Sequence, residues 1–346
     1  MRMNTRKLFI ILSSALILTT LVACGGGGGG GGTTAPVSPV NPPIVPPAPK
    51  ITVSINQIIT DCVTNAPAKQ VAAFVTVNDQ NGDAVTTLTE ADFTLFEGAK
   101  QILAGAPDNL TVSFAEQANI PLSVALVLDF SRSIGGEFGD RPDLAAEKQA
   151  AIGFVDLLLA DDEAEIIKFG LDVEPTLDFT LADAAGKQDL ETAINEDFTG
   201  DNDGSAVYDA IIQALQDTAL RQPDRRKAVV ILTDGDDTSS APTTINDVIS
   251  TAKGYGIPVF TIGLGNSLNE ANLQLIADET GGVFYPSVDA GDLTDIYNQL
   301  AQTLIINQYV LQYDSSLAAG TATDLMVEAT FGSLVDDDTR NFTLCP

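Results

Sequence analysis

Asp129-Phe130-Ser131-Arg132-Ser133 sets a carboxylate and two hydroxyls at alternate positions of one short segment. Two other segments carry the same kind of side chain. Thr233-Asp234-Gly235 follows the apolar run Lys227 to Thr233, and Gly204-Ser205-Ala206-Val207-Tyr208-Asp209 stands where a helical pattern begins. Carboxylates and neutral hydroxyls are hard oxygen donors. They suit Mg²⁺, which takes oxygen ligands in octahedral geometry and keeps some of its water. A set with few carboxylates leaves such an ion electron-poor, so a carboxylate from another molecule can complete its shell. The plain alternative is that Ser131 and Ser133 cap the next turn and Asp234 sits in an ordinary β–α loop.

Composition removes much other chemistry. The chain has 346 residues, no His and no Trp, with 47 acidic against 17 basic residues and a formal charge of −30. Without His there is no Ser-His-Asp triad, Cys-His dyad or His-ligated zinc. The charge sets the chain against nucleic acid, whose phosphates it repels. A metal-dependent phosphate-ester hydrolase lacks a His base, and Arg132 is the one cation evidently near the motif, so no enzyme activity is expected.

The elements that must position these residues follow from periodicity. From Ile51 to about Gln117 the pattern is β: Val71 to Val77 is strand-like, Asn81-Gly82 marks a turn, and Phe93 to Phe96 and Leu110 to Phe114 alternate with period two. No helix is predicted there. From Pro121 strands and helices alternate. Leu122 to Phe130, Glu165 to Gly170, Pro175 to Phe179, Lys227 to Thr233, Ile257 to Gly263 and Gly282 to Tyr285 read as strands. Helical periodicity covers the region of Ile152 to Leu159, then Ser205 to Leu220, Ile245 to Tyr255, Asn269 to Thr280 and Ala290 to Ile306. Such alternation predicts an α/β domain with a doubly wound, mainly parallel sheet, which binds ligands at the carboxyl ends of its strands. From Gln308 the pattern returns to β, with strands at Tyr309 to Tyr313 and Leu325 to Phe331 and a last short one at Asn341 to Leu344. The α/β unit is therefore expected to be inserted in, or flanked by, a small antiparallel β domain.

Residues 119–308 resemble a von Willebrand factor A domain, and the three segments resemble that family's metal-ion-dependent adhesion site. The resemblance implies Asp129, Ser131 and Ser133 as one ligand set and Asp234 as a distal carboxylate. Ser205 falls where the family most often has Thr, so the hydroxyl is kept and the stiffening methyl is lost. The implied cofactor is Mg²⁺, with Mn²⁺ or Ca²⁺ as substitutes. The implied partner is a protein offering an Asp or Glu carboxylate, in adhesion or envelope protein–protein interaction. The alternative is an assembly factor of an envelope complex in which the metal only stabilises a loop. In relatives the last helix moves on ligand binding, and here Ala290 to Ile306 leads into the β domain through Asn307-Gln308.

The chain ends bear on location. Arg2, Arg6 and Lys7 precede an uncharged stretch from Leu8 to Ala23, too short for an ordinary membrane span. Leu21-Val22-Ala23-Cys24 resembles the lipobox of bacterial lipoproteins, which implies a signal peptide over 1–23 and lipidation at Cys24. Eight glycines from Gly25 and seven prolines between Pro36 and Pro49 make 24–50 a tether. Its polyproline part alone would reach roughly 40 Å. Gly25 rather than Asp after the Cys favours the outer membrane, facing periplasm or cell surface. Cys62 and Cys345 remain as an even pair in an exported chain and predict a disulfide. That bridge would join 51–118 and 309–346 into one β-sandwich-like domain around the A domain. The acidic runs Asp236-Asp237 and Asp336 to Asp338 are expected in solvated loops. Asp201-Asn202-Asp203-Gly204 lacks the spacing of an EF-hand.

Overall fold

Strands open the folded part. β1 (Ile51–Thr60), β2 (Lys69–Asp79), β3 (Phe93–Glu97), β4 (Lys100–Ile102) and β5 (Thr111–Phe114) precede a short helix, α1 (Ala115–Ala118). The structure is a computed structural model that describes residues 49–60, 69–80, 82–118, 120–134, 142–265, 270–287 and 290–345. The expected signal over 1–23, Cys24, Cys62 and the tether up to residue 48 lie outside these residues. No helix among the described residues is long and apolar enough to cross a membrane.

The α/β unit begins with β6 (Leu122–Asp129), buried at every position. After it come α2 (Pro142–Leu157), β7 (Glu163–Phe169), β8 (Val173–Leu181), α3 (Ala184–Asn195), α4 (Val207–Ala219), β9 (Arg226–Thr233), α5 (Ile245–Tyr255), β10 (Val259–Leu264), α6 (Glu270–Thr280), β11 (Phe284–Ser287) and α7 (Leu293–Ala301). The apolar run of β6 is continuous because helices cover both of its faces. Val124, Leu126 and Leu128 pack in one core with α2, α3 and α7. Ala125 and Val127 pack in the other with α4, α5 and Ile276 of α6. The sheet order is β11-β10-β9-β6-β7-β8, parallel throughout except for the antiparallel edge strand β8. From β6 the chain moves outward through β7 and β8, then returns to β9 on the other side. Strand order therefore reverses between β6 and β9, and a crevice opens at their carboxyl ends.

β12 (Tyr309–Ser315), β13 (Ala322–Phe331) and β14 (Leu334–Thr343) complete the chain. β12 pairs antiparallel with β2 and β5, and β13 pairs antiparallel with β3. Two four-stranded antiparallel sheets result, β1-β2-β12-β5 and β14-β13-β3-β4. They share a core that includes Ile55, Val75, Leu95, Leu311 and Val327.

Several expectations need correction. α3 was absent from the sequence reading: its buried face rests on Gly186, Leu190, Ala193 and Ile194, a sparse apolar set. What starts it is Asp183, whose carboxylate accepts from the Ala185 and Gly186 amides. The helix expected over Ala290 to Ile306 is α7 with a 3₁₀ turn before it and a π-helical turn, Gln302–Ile306, after it. The β region also holds α1 and a 3₁₀ turn at Glu90–Asp92. β14 is ten residues long rather than a short terminal strand, and Asp336 to Asp338 lie within it, not in a loop.

Aspartate is a poor strand former, yet these carboxylates have work at the sandwich edge. Asp336 Oδ2 accepts from the Val53 amide at 2.8 Å, and Asp338 Oδ2 from the Ile55 amide at 2.7 Å. The outward amides of edge strand β1 are thus satisfied by side chains of the facing sheet, which closes an edge otherwise open to pairing. Replacing both aspartates by Ala should lower stability by about 2 kcal/mol in urea denaturation. An unchanged midpoint would show that water satisfies β1 equally well.

Candidate functional site

The donors collect at the crevice. Asp129 ends β6 and is fully buried. Its Oδ1 accepts from the Ser131 amide at 2.8 Å, so the chain turns back on its own carboxylate. Ser131 Oγ and Ser133 Oγ are 3.0 Å apart, and Ser133 Oγ donates to Asp234 Oδ1 at 2.8 Å. Ser205 Oγ donates to Asp129 Oδ2 over 3.5 Å. The side chains of Asp129, Ser131, Ser133, Ser205 and Asp234 therefore form one connected group, contributed by the loops after β6 and β9 and by the lead into α4. Ser131 and Ser205 are buried, Asp234 is half-buried and Ser133 is exposed, so the group opens to solvent on one side.

Main-chain bonds fix the loops to one another. The Arg132 amide donates to the Asn202 carbonyl at 3.0 Å, and the Ala206 amide to the Gly170 carbonyl at 2.7 Å. Ser205 is held twice by Thr238: its amide donates to Thr238 Oγ1 at 2.9 Å, and its carbonyl accepts from the Thr238 amide at 2.9 Å. Gly170 permits the close approach, since a Cβ there would stand 2.8 Å from Asn202 Cα and 2.9 Å from the Asp201 carbonyl oxygen.

Three residues of this site have no role in the sequence reading, although Thr233 stands in one of its motif segments. Thr233 Oγ1 donates to Asp129 Oδ2 at 2.6 Å. Thr238 holds Ser205, and Glu147 of α2 accepts from the Asp129 amide at 3.0 Å. Thr233 offered a signal, as a hydroxyl directly before Asp234 at a strand end. The other two act through tertiary contacts that spacing does not report. Asp237, expected in a solvated loop, is half-buried and accepts from the Tyr208 and Ser240 amides, which steadies the start of α4. Asp201, Asp203 and Asp172 build their own turn: Asp201 Oδ1 accepts from the Asp203 amide and Asp172 Oδ2 from the Asp201 amide, each at 2.9 Å. Arg132 pairs with Asp203 at 3.1 Å, both exposed.

Burial pushes the Asp129 carboxyl up to about 6, with a further push from the nearby Asp234 charge, while bonds from Ser131 and Thr233 oppose it. A carboxylate in that position is short of positive charge. Among the described residues no cluster of three or more His, Cys, Asp or Glu side chains could hold a metal. This group has two carboxylates, and hydroxyls supply its remaining oxygens. That is the donor chemistry of a hard divalent cation and fits no soft metal.

Cys345 Sγ lies 3.0 Å from the Thr60 carbonyl oxygen at the end of β1.

A doubly wound sheet with oxygen donors at its switch point defines a class of ligand-binding α/β domains. The model of the von Willebrand factor type A domain matches residues 123–299, more than half of the chain, and the chain belongs to that family. It is 26% identical over 223 residues to an uncharacterized protein of Synechocystis, covering 62% of this chain and 50% of that protein. It is 27% identical over 247 residues to inter-alpha-trypsin inhibitor heavy chain H3 of Mus musculus, covering 64% and 26%. Matrilin-1 of Mus musculus is 27% identical over 207 residues, covering 57% and 38%. The chain thus spans half or less of the length of these relatives. Among solved structures, a von Willebrand factor type A protein from Catenulispora acidiphila aligns with a TM-score of 0.49 at 12% identity, over 86% of this chain and 73% of that one.

Proposed function

We propose that this chain is a lipid-anchored envelope protein whose A domain binds a protein ligand through a divalent cation. Asp129, Ser131, Ser133, Ser205 and Asp234 would hold the ion, with Mg²⁺ as the first choice and Mn²⁺ or Ca²⁺ as substitutes. The ion would supply a Lewis-acidic position for an Asp or Glu of the partner. The observation that carries this reading is the convergence of five oxygen-bearing side chains, two of them carboxylates, at the switch point of the sheet. The site is read as a binding centre, because the nearby Arg132 is engaged with Asp203 rather than aimed at a reacting group.

The anchor at Cys24, the signal over 1–23, the tether over 24–50 and the outer-membrane location rest on the sequence pattern. A Cys62–Cys345 bridge is part of the same proposal. Thr60, which Cys345 touches, lies two residues before Cys62.

Asp172, Asp201, Asp203 and Asp236 are exposed in the chain around these loops, so a probe with basic flanks suits the surroundings. The test uses a synthetic peptide with one Asp between lysines, titrated against residues 24–346 in Mg²⁺. Binding should vanish in EDTA, and should vanish when the peptide's Asp is replaced by Asn. Binding that survives both changes is ordinary charge attraction and sinks the cation-bridged reading. Mg²⁺ uptake without any carboxylate-dependent binding would favour the assembly role.

A further inference from the structure

Glu147 is a carboxylate with no exposed surface, on the helix behind the donors. Burying such a group costs several kcal/mol unless its contacts compensate, and an apolar side chain would fit the surrounding core. In the core on that face of the sheet Phe154 and Tyr297 are fully buried, with ring centroids 6.2 Å apart. The Tyr297 hydroxyl has no hydrogen-bond partner among the described residues and is raised well above its ordinary pKa by burial and by the Glu147 charge, which places Glu147 beside α7 as well.

Its contact with the site is specific. The β6–β9 register ends at Leu128↔Leu232. The next amide, that of Asp129, donates to Glu147 Oε1 at 3.0 Å. Asp129 begins the loop that carries Ser131 and Ser133, and α2 receives that loop at its far end. One side chain of α2 thus holds the loop's first residue from behind. A main chain held by a buried acceptor at the point where the donors begin has less freedom to lose when those donors are ordered around an ion.

We propose that Glu147 is a positioning residue of the cation site, fixing the Asp129 main chain so that the Asp129 carboxylate and the two serines face the same opening. This rests on the cation reading given above. The role needs an acceptor oxygen at Glu147, not its charge.

Calorimetric Mg²⁺ titration of the full folded chain, with Glu147→Gln and Glu147→Leu alongside, tests it. Melting temperatures are recorded in EDTA for each chain. Glu147→Leu should weaken Mg²⁺ binding by about tenfold or more. Glu147→Gln, which keeps an acceptor for the Asp129 amide, should stay within about threefold of the wild type. Glu147→Leu that melts lower yet binds Mg²⁺ like the wild type would overturn the proposal, as would Glu147→Gln that binds as weakly as Glu147→Leu. A wild-type chain that takes no Mg²⁺ would overturn the cation reading itself, a failure told apart by the first titration alone. Should Glu147→Leu not fold, hydrogen exchange at the Asp129 amide decides. Slow exchange in both wild type and Glu147→Gln supports the contact, and fast exchange in the folded wild type overturns it.

Discussion

Asp129→Asn should lose the rise in melting temperature that Mg²⁺ gives the wild type and, in EDTA, should melt above it. The two halves of this result have opposite signs and one cause. The Asp129 carboxylate is fully buried, and burial holds its pKa up to about 6. At pH 7 without a cation the fold therefore carries an ionised group that burial disfavours, a cost of about 3 kcal/mol. The amide is nearly the same shape. Its oxygen can still accept from the Ser131 amide, and its NH₂ meets Thr233, whose hydroxyl can turn to donate to the Gly235 carbonyl at 3.2 Å. Removing the charge thus relieves the metal-free state at little packing cost. It also removes the group that a cation would neutralise. At about a hundred times its dissociation constant, an ion bound only to the native state adds about 2.7 kcal/mol. For a protein of this size that corresponds to a rise of about 4 °C. Scanning calorimetry of both chains, in EDTA and in Mg²⁺, reads all four values. Equal Mg²⁺ stabilisation of Asp129→Asn would mean that the ion binds elsewhere.

The donors were legible because each stands at a structural punctuation mark. Asp129 and Asp234 follow apolar runs that could only be buried strands, and Ser205 precedes a strongly amphipathic helix. Strand ends on one edge of a parallel sheet meet by topology alone, so alternation of elements was enough to bring the three segments to a common edge. What escaped has a different physical origin. α3 shows a weak stripe because Gly and Ala fill much of its buried face: a Cβ on Gly186 would stand 1.8 Å from the Leu181 carbonyl oxygen, a contact no periodicity reveals. β14 reads as a loop because aspartates interrupt it, and only the facing strand β1 explains them. Nothing in the local pattern around Glu147 marks it as buried. Its burial is set by α7, which lies far along the chain and packs against α2. Local pattern reports which face of an element is apolar. It does not report a polar group that is buried for the sake of a partner.

Glu165→Gln should stabilise the protein markedly more at pH 9 than at pH 5.5. Glu165 lies in β7, is almost wholly buried, and faces the layer of α4. Burial pushes its carboxyl up to about 8, and the neighbouring Asp217 adds to this both by its charge and by accepting the Glu165 proton in a hydrogen bond. Gln213 Nε2 also holds Asp217, donating to its Oδ2 at 2.7 Å. The adjacent cation gives little relief: Arg221 is spent on Glu163, with Nε and Nη2 each 2.8 Å from a carboxylate oxygen. The folded chain therefore keeps a proton on Glu165 that the unfolded chain releases near the ordinary Glu value. A folded pKa above the unfolded one means stability that is complete below the unfolded value and is lost as pH rises through the folded value. The window runs from about pH 4.5 to 8. Above it, two carboxylates face each other in a poorly solvated site, and the loss is on the order of 3 kcal/mol. Gln can donate to Asp217 as the protonated acid does and never ionises. Urea denaturation of both chains at pH 5.5 and pH 9, each in saturating Mg²⁺, isolates the effect, because every other titrating group cancels between them. Parallel pH dependence in the two chains would show that Glu165 is ionised in the fold at neutral pH and that Asp217 is not its hydrogen-bond acceptor.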